Sequence, residues 1–267
     1  MNEIKIFPLI ATVFFISWIG VIPSLLNAYG FEIGTFLKLL DVLMMLGPIL
    51  GASIVVYFYQ GKVGLRQLFR RLLIFKTGPL PVLIALLGPI LFAGLAAYLG
   101  HFFSNSSWPQ AYNISSILIN GFIIMLGYLI LNTEEIAWRG VVFDRLLDKY
   151  GFLKACLILA PIWGIFHLPL FFFPGGHPAG YGLGAFSLIV IGQTFILGWI
   201  YVRTKRSLVY VHLHHQLNNG FAEAFPIFPI FLGGNMLPIW MFAGLIFFFS
   251  LALIFLDRKS LVSPFTH

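Results

Sequence analysis

Three groups of polar residues interrupt an otherwise apolar chain, and each holds side chains able to do acid–base chemistry. The densest is Asn132-Thr133-Glu134-Glu135-Ile136-Ala137-Trp138-Arg139-Gly140. Glu135 and Arg139 are four apart and share a helical face, with the acid on the favourable N-terminal side. A guanidinium fork binds a carboxylate bidentately and would hold Glu135 as a structural ion pair. Glu134 is turned about 100° from its neighbour and lacks that partner. Two adjacent carboxylates in different surroundings can take different roles, one structural and one as general base. Read by itself, the cluster also fits an ordinary capping and salt-bridge group at a membrane interface.

The second group is Trp163-Gly164-Ile165-Phe166-His167, in which a lone His on an apolar helix is either a proton carrier or a hydrogen-bonded core residue. The third is His212-Leu213-His214-His215-Gln216-Leu217-Asn218-Asn219. Here His215 and Asn219 share a face, as do His214 and Asn218. N–H donors stacked on one face can hold a developing oxyanion, or can hydrogen-bond between helices. The clustered histidines raise the question of zinc. They lack the His-Glu-x-x-His spacing that sets two ligands and a base on one helical face. No metal is favoured, and zinc, if bound, would draw on Glu134, His167 and His215 from three helices.

These residues need helices buried in lipid to position them. The chain has 267 residues, 60% hydrophobic and only 9% charged, against about 25% charged in soluble domains. That is too little charge to coat a soluble domain or to keep a chain disordered. The single Cys156 excludes a disulfide framework and multi-cysteine zinc modules. Residues 6–31, 42–61, 77–133, 155–202 and 224–256 contain no Asp, Glu, Lys or Arg. One crossing takes about 20 apolar residues. The two longest runs break at Ser104-Asn105-Ser106-Ser107-Trp108-Pro109 and at Pro174-Gly175-Gly176-His177-Pro178. The expectation is an all-α, polytopic transmembrane helix bundle. Its eight spans lie near 5–27, 38–60, 80–103, 114–137, 152–173, 184–202, 207–225 and 237–256, within a single domain over 1–267. The first span is read as a retained helix, since no small-x-small cleavage signal follows it. Gly47 and Gly51 read as a close helix-packing pair.

Charge placement sets the orientation. With the N-terminus inside, segments 1–5, 61–79, 138–151, 203–206 and 257–267, together with Lys154, hold 15 of the 16 Lys and Arg residues. Lys38 alone lies opposite, which is the positive-inside bias and predicts both termini in the cytoplasm. The net charge of +7 is thus a topological signal rather than one for nucleic acid. Residues 64–73 read as an interfacial helix against anionic lipid. Rising about 1.5 Å per residue from these boundaries, Glu134 lies about 5 Å deep, His215 about 12 Å and His167 about 22 Å. One shared site then requires the fourth helix to be longer or kinked, or the fifth to begin later.

Taken together, the three clusters resemble the CPBP intramembrane protease family, also called the Abi or CAAX-prenyl-protease-type family. Its motifs are Glu-Glu-x-x-x-Arg, aromatic-x-x-x-His and His-x-x-x-Asn, matched by Glu134-Glu135 with Arg139, Trp163 with His167, and His215 with Asn219. Ser207 followed by His215-Gln216-Leu217-Asn218-Asn219 fits the family's third motif and favours His215 over His214. Trp163 departs from the usual Phe but keeps the aromatic ring. The motif-bearing core lies at about 115–225. The resemblance implies an endopeptidase in which Glu134 activates water with help from His167. His215 and Asn219 would form the oxyanion hole, and Glu135–Arg139 would support the site. It implies a multi-pass cell-membrane enzyme acting from the cytoplasmic side on a membrane-anchored or lipidated, CAAX-like protein or peptide. Two other readings stay open. One is a transporter or proton-linked carrier using the same residues as a relay, although no inverted repeat is visible. The other is a non-catalytic, bacteriocin-immunity-type membrane protein.

Overall fold

The computed structural model describes residues 3–178 and 180–262, all of them helix, turn or loop. Ten helices carry the argument: α1 (Ile6–Ala28), α2 (Val42–Arg70), α3 (Pro79–Phe103), α4 (Ile114–Leu131), α5 (Glu134–Ala137), α6 (Asp144–Tyr150), α7 (Phe152–Phe166), α8 (Leu183–Arg203), α9 (Leu208–Ala224) and α10 (Leu237–Leu256). Among the described residues, six helical segments are long and apolar enough to cross a membrane: Ile6–Ala28, Thr35–Leu73, Pro79–Phe103, Ile114–Leu131, Leu183–Arg203 and Leu237–Leu256. Helices also stand at the other two expected places, but α7 is shorter, and α9 is shorter and more polar. Large apolar side chains such as Phe7, Phe58 and Leu256 point outward at 80% exposure or more. An apolar exterior around buried polar groups is the pattern of a bundle whose solvent is lipid. The chain is a multi-pass helical membrane protein.

Close packing follows the small residues. A Cβ on Gly51 would lie 2.7 Å from the Val13 side chain, and one on Gly47 would collide with Ser17, so this pair seats α2 against α1 as expected. Gly220 lets α9 approach α4, where a Cβ would meet the Gly121 carbonyl oxygen at 2.5 Å. The helix over 64–73 forms, set off from the rest of α2 by a kink at Gly61.

The fourth crossing departs from expectation. The helix ends at Leu131, not at residue 137, and restarts at Glu134. The cause lies in α2, where Pro48 cannot donate a helical hydrogen bond and disturbs the ladder around it. Thr133 inserts there: its N–H and hydroxyl both donate to Met45 O, at 3.1 and 2.6 Å, and its Oγ1 accepts from Ile49 N at 3.2 Å. The chain then runs through α5, a π-helical turn at Trp138–Phe143 and α6 before turning at Gly151, whose φ of +76° suits glycine. Residues 138–147 are therefore largely inside the bundle rather than in a cytoplasmic loop, and Arg139 is fully buried. Helix α7, the expected fifth crossing, stops at Phe166, ahead of Pro169, and a 3₁₀ turn follows at Leu168–Phe171.

One end of the bundle gathers the segments expected in the cytoplasm. Arg71 pairs with Asp144 at 2.9 Å and donates to Gly140 O, Arg206 pairs with Asp144 and Asp148, and Ser207 donates to Ile74 O. The expectation for the two termini rests in part on residues 1, 2 and 263–267, which lie outside the described residues.

Candidate active site

The α5–α6 rod and α7 form an antiparallel hairpin about Gly151. Glu134 stands 17 residues before that glycine and His167 stands 16 after it, so both reach the same level. This removes the depth mismatch that the expected boundaries created. Glu134 Oε1 lies 3.5 Å from His167 Nε2. His167 Nδ1 faces Trp163 O at 3.0 Å. A carbonyl only accepts, so Nδ1 carries the proton and Nε2 is directed at the carboxylate.

Glu134 is held from three sides. Oε2 accepts from the indole N–H groups of Trp163 (2.6 Å) and Trp138 (3.1 Å). Oε1 accepts from Asn132 Nδ2 at 3.1 Å, and Asn132 Oδ1 accepts in turn from the Glu134 N–H. Asn132 and Trp138 were not singled out as site residues, although both lie in the motif cluster.

Glu135 points elsewhere, as the helical geometry required. Its Oε1 accepts from Arg139 Nη1 at 2.9 Å, and His215 Nδ1 lies 2.8 Å from the same oxygen. The Arg139 guanidinium also lies over the Trp163 ring, 4.4 Å from its centroid. All three side chains are buried. His215 packs edge-on against Trp163 at 5.4 Å, which brings the third motif beside the first two.

A cavity of about 260 Å³ unites these groups. Glu134, Trp163, His167, His215, Asn218 and Asn219 all line it. Asn219 is loosely tied, its Nδ2 lying 3.4 Å from Gln216 Oε1, whereas Asn218 Oδ1 accepts from Gln193 Nε2 at 2.7 Å. Gln193 also lies 3.1 Å from His214 Nε2, so His214 serves helix-to-helix bonding away from the cavity. Gln193 was the missed signal here: a lone amide inside a charge-free apolar run. His177, in the loop after α7, stacks near His167 at 5.9 Å. Burial, and then the neighbouring His167, push His177 down to about 3, so it stays neutral.

The cavity wall includes Gly175, Gly176, His177 and Tyr181 of the loop after α7, at the end away from the Arg71–Asp144–Arg206 cluster. Among the described residues, no three His, Cys, Asp or Glu side chains are gathered to hold a metal ion. Glu134 and His167 face each other, and His215 turns Nδ1 to Glu135.

A multi-pass helical bundle with an internal carboxylate–histidine cavity is thus defined by fold and site together. Residues 110–221 match the family described as type II CAAX prenyl endopeptidase Rce1-like. The CAAX prenyl protease 2 of Methanococcus maripaludis is 28% identical over 104 residues, which cover 36% of this chain and 38% of the relative's own length. This motif-bearing part of the chain is similar to the CAAX-protease-type family, over less than half of its length.

Proposed function

We propose that the protein is an intramembrane endopeptidase that hydrolyses a peptide bond of a membrane-anchored or lipidated substrate. The observation that carries this reading is the facing pair Glu134–His167, 3.5 Å apart on the wall of one cavity. A water bridging them gives a proton to Glu134 as its oxygen attacks the peptide carbonyl. His167, its tautomer set by Trp163 O, orients that water. The two indoles and Asn132 hold the carboxylate in position, so no reorganisation is needed at the moment of attack. When the C–N bond breaks, the proton taken by Glu134 passes to the leaving amine.

His215 and Asn219 supply the oxyanion donors. Since Glu135 can only accept, His215 Nδ1 carries a proton, and Nε2 donates to the oxyanion when the ring is cationic. Asn219 turns its amide from Gln216 to the substrate. Glu135–Arg139 fixes His215 and does not touch the reacting atoms.

The test is a single turnover of a membrane peptide in ¹⁸O-labelled water with enzyme in excess. Direct attack by water places the label in the new C-terminal carboxylate at the first turnover. Label appearing instead in Glu134, or substrate moving across vesicles with no cleavage product, would overturn the reading.

A further inference from the structure

We propose that Asn218 binds the main chain of the substrate, its Nδ2 donating to the carbonyl of a peptide bond next to the scissile one. This rests on the peptidase reading and adds a binding residue to it. Counting about 100° per residue, Asn218 and Asn219 lie on either side of His215, one turn further along α9. Both line the cavity, and they are held differently. Asn219 has only the 3.4 Å contact with Gln216 and is free to turn to the oxyanion. Asn218 is buried, and its orientation is fixed from α8. Gln193 Nε2 donates to Asn218 Oδ1 at 2.7 Å. Gln193 Oε1 faces His214 Nε2 at 3.1 Å, and since that oxygen only accepts, Nε2 carries the proton.

These bonds run in one direction. His214 donates to Gln193 and Gln193 donates to Asn218, which leaves Asn218 Nδ2 at the cavity wall with no partner among the described residues. His214 and Asn218 are four apart on α9, so a single side chain of α8 grips both. A peptide entering a cavity within lipid has the complementary need, because each carbonyl it brings out of water must find a donor. The scissile carbonyl takes His215 and Asn219, and Asn218 is left for its neighbour. Gln193 and His214 do not touch the substrate and act as positioning residues.

The experiment uses peptides with one apolar membrane anchor in which single peptide bonds beside the anchor are replaced in turn. An (E)-alkene removes both carbonyl and N–H, and an ester removes the N–H alone. Dye-labelled binding to Glu134→Gln protein in nanodiscs is measured beside KM and kcat of the active protein. At one position other than the scissile bond, the alkene is expected to weaken binding about tenfold, the cost of one unpaired buried group, and the ester much less. Adding Asn218→Ala abolishes that alkene penalty, and with the unaltered peptide its cost to the active protein falls on KM more than on kcat. Gln193→Leu, which frees Asn218 without removing it, lowers the penalty partway and serves if Asn218→Ala does not fold. The proposal is overturned if no alkene penalty depends on Asn218, or if the ester reproduces it, since Asn218 would then be accepting an N–H. A loss confined to kcat overturns it as well. A penalty that depends on Asn218 without any cleavage supports the role of Asn218 while contradicting the peptidase reading, so the two failures are distinguishable.

Discussion

Trp163 Nε1 donates to Glu134 Oε2 across 2.6 Å, the shortest of the three side-chain hydrogen bonds around that carboxylate. It joins the far ends of the α5–α6 and α7 rods. A Phe, usual at this place in the CPBP family, would give the same packing and no donor. The departure from Phe at Trp163 therefore changes the surroundings of the proposed base.

Trp163→Phe removes that donor while keeping a ring against His215 and Arg139. A hydrogen bond to a charged group contributes about 1.5–3 kcal/mol. Turnover is expected to fall at least about tenfold, with thermal unfolding in detergent little changed. Steady-state kinetics and a melting curve, measured on one preparation, check both halves.

Thr133→Val opens the α2 ladder. Ile49 N–H loses its acceptor and Met45 O loses one of its two donors. Leaving buried backbone polar groups unpaired costs about 1–3 kcal/mol. The expected outcome is a lower Tm and faster amide exchange at Ile49, with Thr133→Ser close to the native protein.

Much of this was legible in the sequence because lipid imposes simple rules. Charge-free runs located the helices, and the three polar clusters that interrupt them do meet. What the sequence hid was long-range. The break before Glu134 depends on Pro48, 85 residues away from Thr133, and no periodicity within 114–137 reveals it. The continuation of the chain through a π-helical turn to Tyr150 moved residues 138–147 from an expected loop into the core. That shift accounts for the false depth difference between Glu134 and His167. Gln193 and Asn132 carried a readable signal, since an amide inside an apolar helix is expensive unless bonded.

Arg139→Ala leaves Glu135 buried without its guanidinium, and breaking such a pair from one side costs about 3–5 kcal/mol. A large loss of Tm or of folded yield is expected. Replacing both partners, with Arg139→Met and Glu135→Leu, should recover most of the stability. It should not recover activity, because His215 then lacks the carboxylate at Nδ1. Melting curves and turnover of the two variants separate these effects.

Gly220→Ala drives a methyl toward the Gly121 carbonyl and Met125 at the α4–α9 contact. Overpacking of this kind costs about 1–3 kcal/mol. Because Asn218 and Asn219 ride on the same turns of α9, activity should fall along with Tm, and a Tm unchanged from the native protein would contradict the close approach.

The most direct measurement is kcat of Glu134→Gln, reconstituted in vesicles with a membrane peptide, beside a melting curve of the same protein. Loss of a general base lowers turnover by about 10²–10⁴, and that is the expected result with Tm near the native value. Turnover within a few fold of the native enzyme, in a protein shown to be folded, would contradict the role assigned to Glu134.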